Sequence, residues 1–401
     1  MSNLLTRRRS LYLGLGTLAG LGAYLTHRSN STEAVSDRSI AERDNRTNQV
    51  QVSDKLATNI ALGESSLKEH AAAKGLIYGA AAKQVELKNT RFADHVIQEC
   101  DMVIPKWEFR WNWLNPNPGE FNFTRTDSLV RWVKERNMLL RGHALIYQNS
   151  MPKWFWGRAN RQNIEKIFLN YIDTVVTHYA GQMHSWDVVN EAVYPKDGRA
   201  DGLRNTRWLQ LLGTDFFDLV FSAAAAADPQ ALLVYNDTGI DRNTDDGEAI
   251  RTATLKLLEK LKSQGTPIHA LGIQSHIWAR DTEPLNPEKI RAFVGEVAQL
   301  GLKIMVTELD VKDRHLPQDI TVRDRIVAQA YEDYLSAVLD EPAVIAVNTW
   351  GLSDRYTWLE HPRRGARDDG APVRPLPLDE QFQRKPAWYA IARAFDNAPK
   401  R

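Results

Sequence analysis

The chain has 401 residues, of which 43% are hydrophobic and 25% charged, a composition ordinary for a soluble globular protein and enough for one large core or two smaller ones. Fifty-one Lys and Arg stand against fifty Asp and Glu, so the overall balance asks for neither nucleic acid nor an anionic membrane and points to a neutral partner. The single cysteine, Cys100, excludes an internal disulfide framework and any cysteine-based metal cluster, and its place just before a strand pattern reads as a buried structural thiol.

At the N-terminus, Arg7, Arg8 and Arg9 precede an uncharged, mostly apolar run over 11–25. That is a basic region followed by a hydrophobic one, and at about fifteen residues it is shorter than the roughly twenty needed to cross a bilayer as a helix. Residues 1–27 are therefore expected to be an export signal, and the adjacent arginines resemble a twin-arginine signal; an uncleaved N-terminal anchor is the alternative. Residues 28–67 are polar, poor in apolar periodicity, and read as a linker leading into a folded part over 68–401.

From there short β-type runs alternate with longer amphipathic helical patterns, the signature of βα units and a parallel sheet. Eight strand candidates occupy 76–81, 102–105, 139–146, 185–190, 232–236, 270–274, 303–307 and 344–349. Helix patterns lie between them, for example over 163–179, 216–227, 246–263, 287–300 and 324–339. Eight repeats predict an α/β fold, the (β/α)₈ TIM barrel, with a doubly wound open sheet as the runner-up. The chain shows no glycine-rich phosphate loop, which removes the main reason to prefer the open sheet.

A TIM barrel carries its chemistry at the C-terminal ends of its strands, so what each run ends in matters. The third ends near His143, the fourth at Asn190 and Glu191, the fifth at Tyr235, Asn236 and Asp237. The sixth ends at Gln274, Ser275 and His276, the seventh at Glu308 and Asp310, the eighth at Asn348 and Trp350. One such residue alone would read as a strand cap; six strand ends converging on one face make a site, because polar groups at that depth need partners or a ligand. Glu191 and Glu308 would face each other across the mouth with room for a sugar between them. A glycosidic bond needs one carboxylic acid to protonate the departing oxygen and one carboxylate to attack the anomeric carbon or activate water. His276 could hold Glu308 ionised while Asp310 fixes the imidazole, which makes Glu308 the candidate nucleophile and Glu191 the acid/base. Asn190 is placed to bond a sugar hydroxyl. The carboxylate separation, which decides between retention and inversion, is not legible in a sequence.

At these residues the chain resembles glycoside hydrolase family 10, the endo-1,4-β-xylanase family, over roughly 76–393. WDVVNEA at 186–192 is similar to the family's acid/base segment and VTELDV at 306–311 to its nucleophile strand. RGHAL at 141–145, YNDTG at 235–239, GIQSHI at 272–277 and TWGLSDRYTWL at 349–359 follow in family order. The resemblance implies a retaining mechanism with Glu191 as acid/base and Glu308 as nucleophile. It also implies that His143, Asn190, Gln274, His276, Trp350 and Trp358 line the subsite where the bond breaks, with Tyr235 and Asn236 as further substrate-binding candidates. The expected partner is a β-linked polysaccharide or oligosaccharide, xylan first, with no cofactor, no metal, no nucleic acid and no protein partner.

The chain also departs from the family. Where the family has Glu-Asn, two further residues and Lys-Trp, this sequence has Lys106-Trp107-Glu108-Phe109-Arg110-Trp111, and where the family continues into Trp-His it has Tyr147-Gln148. Arg110 can still donate hydrogen bonds to a sugar, although its planar fork is not a point charge like Lys. Lys106 and Trp107 are expected to alter which sugar the neighbouring subsite accepts, which keeps another β-glycan or a decorated oligosaccharide open. Two other readings compete: a non-catalytic carbohydrate-binding barrel, and a metal-dependent hydrolase using His143, His276 and Asp237.

Overall fold

The computed structural model of the chain describes residues 65–279 and 285–401, so the export signal and most of the linker lie outside the described residues. Within the predicted linker, Ser66 already begins the fold. Its side chain and that of Glu69 cap the helix Leu67–Ala72 reciprocally, satisfying backbone donors that a helix start leaves unpaired.

Among the described residues ten strands form one sheet: β1 (Ile77–Ala82), β2 (Met102–Pro105), β3 (Leu139–Gly142), β4 (Ile146–Tyr147), β5 (Ser185–Asn190), β6 (Leu232–Asp237), β7 (Ala270–Ile273), β8 (His276–Trp278), β9 (Lys303–Lys312) and β10 (Val344–Thr349). Neighbours pair in parallel in the order β10-β1-β2-β3-β5-β6-β7-β9, and a further β9–β10 pairing closes the ring. Eight staves with helices between them make a closed (β/α)₈ barrel, and closure rules out the doubly wound sheet.

The two remaining strands mark where staves break. The predicted run 139–146 leaves the ladder after Gly142 and resumes as β4 beside β5, which frees His143 from strand geometry at the mouth. The run 270–274 stops at Ile273, passes Ser275 at φ 64°, and pairs again as β8 with the upper half of β9. β9 is accordingly longer than the predicted 303–307 and carries both Glu308 and Asp310 within its ladder.

The helices follow the apolar periodicity closely: Ile164–His178, Asp215–Ala227, Asp245–Ser263, Pro287–Gln299 and Ile320–Val338. Their buried faces and the outward face of the barrel form the main core. Inside the staves, Val234, Ala270, Met305 and Ala346 form a small separate cluster, a filled interior layer rather than a pore. Much of the aromatic content serves packing rather than sugar: Trp111 is buried and stacks on Tyr171 at 3.8 Å, with Phe155 and Phe168 around it. Cys100 is buried as expected, and burial pushes its thiol well above the ordinary value, leaving it inert. No helix of the described residues is long and apolar enough to cross a membrane.

Candidate active site

Glu308 points into the barrel mouth from β9 and is only 5% exposed. Burial by itself would raise its carboxyl value, since it disfavours the charge. The nearby His143, the hydrogen bond to His276, and that from Asn236 outweigh it and hold the group below the ordinary carboxylate range. Asn236 Nδ2 donates to Oε1 at 2.9 Å, His276 Nε2 lies 3.3 Å from Oε2, and His143 Nδ1 lies 3.9 Å from Oε1. The site therefore keeps Glu308 ionised and oriented at neutral pH.

Each histidine is held by its own carboxylate. His276 Nδ1 meets Asp310 Oδ1 at 3.0 Å, and Trp358 Nε1 donates to Asp310 Oδ2 at 2.6 Å. Burial opposes the His276 charge, but Asp310 and Glu308 more than offset it and raise the imidazole to about 9. His143 Nδ1 meets Asp187 Oδ2 at 2.8 Å, and the other oxygen of Asp187 accepts from Arg141. Trp350 sets its face edge-on to both imidazoles, 5.2 Å from His143 and 6.3 Å from His276.

Glu191 follows β5 at φ 57°, a left-handed conformation uncommon for a residue with a Cβ, and its N–H donates to Asn236 O at 2.9 Å. That turn lifts the carboxylate out of the strand and into the mouth. Its Oε1 accepts from Tyr147 Oη at 3.0 Å and Gln274 Nε2 at 3.2 Å, while Arg204 Nη2 stands 3.6 Å from Oε2. An amide relay joins the two acids, because Gln274 Nε2 also reaches Asn190 Oδ1 at 3.2 Å and Asn236 Nδ2 donates to the same oxygen at 2.8 Å. With its oxygen so occupied, Asn190 is left with its amide N–H groups for a ligand. Gly272 makes this possible: a Cβ there would lie 2.3 Å from Asn236 Oδ1.

The cleft over these groups has a volume of about 860 Å³. Of the predicted residues, Glu191, Glu308, Asn190, His143, Gln274, His276, Trp350, Trp358 and Arg110 line it. Two substrate-binding expectations are corrected. Tyr235 is fully buried on the outward face of β6, its ring edge-on to Phe217 and its hydroxyl bonded to Asp237; strand alternation turns it away from the mouth. Asn236 does face inward, but it too is fully buried and spends its amide on Glu308, Asn190 and Thr307, so it positions the acid rather than meeting sugar. Asp237, weighed as a metal ligand, accepts from Tyr235 Oη and from Val193 N–H at 3.0 Å instead. Among the described residues no group of three or more His, Cys, Asp or Glu side chains is placed to hold a metal ion.

Three contributors escaped the reading of strand ends. Asp187 is inside a strand, Arg204 lies on the loop after β5, and Tyr147 registers in the sequence only as a departure from the family. The first had a signal, an acidic residue within an otherwise apolar strand. Lys106 and Trp107 behave differently from each other. Lys106 is 3% exposed, 3.6 Å from Glu86 and donating to Tyr356 O at 3.0 Å, whereas Trp107 is 44% exposed with the Lys83 ammonium over its ring.

A closed barrel whose mouth sets two carboxylates around a cleft, one ionised by design and both linked through amides, defines the class of two-carboxylate TIM-barrel glycosidases. The chain belongs to glycosyl hydrolase family 10, whose profile matches residues 66–394, and is a glycosidase. It is 30% identical over 335 residues to Endo-1,4-beta-xylanase 1 of Humicola insolens, a match covering 82% of this chain and 74% of that protein. It is 29% identical over 306 residues to Endo-1,4-beta-xylanase B of Thermotoga neapolitana, covering 76% of this chain and 83% of that one. Among solved structures, xylanase 10B from Thermotoga petrophila RKU-1 in complex with xylobiose superposes with a TM-score of 0.75 at 29% identity, covering 83% of this chain and 98% of that structure.

Proposed function

We propose that the chain is a retaining endo-1,4-β-xylanase that works by double displacement, with Glu308 as nucleophile and Glu191 as acid/base. The observation that carries this reading is the set of three donors and cations around Glu308, which makes it an anionic nucleophile at neutral pH. The xylanase names of the relatives and the xylobiose in the structural neighbour supply the substrate class.

In the first half-reaction the Glu191 proton passes to the departing glycosidic oxygen as a Glu308 oxygen bonds to the anomeric carbon. In the second, Glu191 takes a proton from water, the water oxygen bonds to the same carbon, and Glu308 departs. Tyr147, Gln274 and Arg204 hold Glu191 in place through both halves. Asn190 N–H bonded to the 2-hydroxyl of the sugar would strengthen as the oxocarbenium-like transition state forms. Trp350 and Trp358 would supply apolar walls for the ring. The basic and apolar N-terminal stretch supports export from the cytoplasm by the twin-arginine route as part of this proposal.

The test is product analysis on xylan, mixed-linkage β-glucan, cellulose and mannan in parallel, together with Glu308→Ala. Xylo-oligosaccharide release is expected, with Glu308→Ala losing turnover and azide restoring part of it as glycosyl azide of inverted configuration. Silence on xylan with turnover of another glycan would replace the substrate. Silence on every glycan would favour a carbohydrate-binding barrel, and no azide rescue would remove Glu308 from the nucleophile role.

A further inference from the structure

We infer that the natural substrate carries carboxylate groups, so that the enzyme acts on a uronic-acid-bearing β-glycan in preference to a neutral one. This rests on the proposed glycan hydrolysis and adds to it the charge of the substrate.

The overall charge of the chain is +1, yet the catalytic cleft is far from balanced. Among the described residues that line it, seven are Lys or Arg and the only carboxylates are Glu191 and Glu308. Lys83 and Lys106 share Glu86, at 3.1 Å and 3.6 Å, which offsets part of their charge. Arg110, Arg242, Arg363 and Arg364 make no ion pair among the described residues. The Nε of Arg110 is buried without a hydrogen-bond partner; burial above all, and Arg364 beside it, disfavour its charge, while Tyr147 and Glu308 offset part of that. Arg242, Arg363 and Arg364 are exposed at the cleft wall, and Arg364 spreads its guanidinium 4.9 Å over the Trp358 ring.

This distribution runs against the needs of the chemistry. Glycoside cleavage builds positive charge on the sugar ring, and a wall of like-signed groups opposes that charge. A neutral xylan chain would leave the repulsion in place. A substrate with carboxylates removes it, because each uronate offers two oxygens that a guanidinium fork can bond bidentately. Arginine rather than lysine at the four unpaired positions suits that planar match. Two of these cations, Lys106 and Arg110, occupy the segment where the chain departs from its family.

The test uses one polymer in two charge states. Glucuronoxylan oligosaccharides are compared with the same material after carboxyl reduction, which turns each uronate into a neutral hexose and leaves chain length and branching alone. With the full-length enzyme, kcat/KM should be on the order of tenfold higher for the acidic form, and the ratio should shrink as NaCl is raised towards 1 M. Arg363→Gln with Arg364→Gln, and separately Arg242→Gln, should move the ratio towards one. Because the unmodified enzyme already gives the ratio, the test survives a variant that folds poorly. Binding to the Glu308→Gln variant separates the two readings. Tighter binding of the acidic oligosaccharide without turnover by the wild type would overturn the proposed reaction and leave the charge preference standing. Equal binding and equal kcat/KM for the two forms would overturn the charge preference and leave the reaction standing. A sulfated xylan bound as tightly as the uronate form would overturn the carboxylate assignment.

Discussion

Around Glu308 two histidines play unlike parts. His143 is locked to Asp187, whose carboxylate also holds Arg141, and its Nδ1 stands 3.9 Å from Glu308 Oε1. His276 bridges Asp310 and Glu308 and is protonated to about pH 9. Its folded value lies above the 6.5 of a free imidazole, so the sign of the linkage is clear. The stabilisation is complete below about pH 6.5, declines as the unfolded chain loses its proton, and is gone once the pH has risen through about 9. Urea unfolding of the wild type from pH 6 to 10 should show this decline, amounting to ~3 kcal/mol, and His276→Gln should flatten it; an unchanged slope would dismiss the ion-pair reading. Tyr147 makes a second prediction at this scale. Tyr147→Phe removes a donor from Glu191 and should lower kcat/KM by about tenfold, in line with one lost hydrogen bond to a charged group, with little change in melting temperature. A loss confined to stability would show that Tyr147 only packs.

The element that most needs its anchors is the long connection after β10, which carries Trp350, Trp358, Arg363 and Arg364 to the cleft. Lys385, just before the last helix Pro386–Asn397, threads its ammonium back to Asp354 Oδ2 and to the carbonyls of Arg374 and Leu376, each at 2.8 Å. Burial raises the Asp354 carboxyl to about 6 despite that cation, so the pair is working against a low-dielectric setting. Lys385→Ala would leave the buried carboxylate with its backbone donor, Leu376 N–H, but without its counter-ion. It should cost about 3 kcal/mol or more in denaturant unfolding and raise KM through a displaced Trp358. A variant as stable as the wild type would show that Asp354 is held by its backbone donor alone. The strand breaks belong to this scale too. His143 and His276 reach the mouth because β3 and β7 stop short and resume, a feature that apolar runs do not announce since Leu145, Ile146 and Ile277 continue the pattern.

For the whole molecule, closure decides stability. The ring is completed by β10 pairing with both β1 and β9, and the two ends of the described fold are tied together. Glu99 takes the Leu67 N–H at 2.9 Å, the Trp388 indole at 2.9 Å and Arg384 at 2.8 Å, joining the helix Leu67–Ala72 to the helix Pro386–Asn397. Trp388→Ala would open a cavity and strip one donor from a buried carboxylate, a loss of about 4 kcal/mol. Its effect should appear as one cooperative transition shifted to lower denaturant, with kcat little changed below the transition. Two separate transitions would mean that the terminal helices fold independently of the barrel.

What the sequence determined by itself follows from periodicity and from chemistry that has few substitutes. Alternating strand and helix patterns demand a parallel sheet, eight of them suffice to close it, and polar residues at six strand ends can only be reconciled with burial by a site. Glu191, Glu308, His276 and Asp310 were legible for that reason. Tertiary structure alone decided which neighbours do what. Tyr235 and Asn236 sit side by side in sequence, and only the direction of the pleat sends one to the core and the other beneath Glu308. The cationic wall was equally hidden, because Arg110, Arg242, Arg363 and Arg364 come from distant segments and a net charge of +1 averages over a field that the fold concentrates in one cleft.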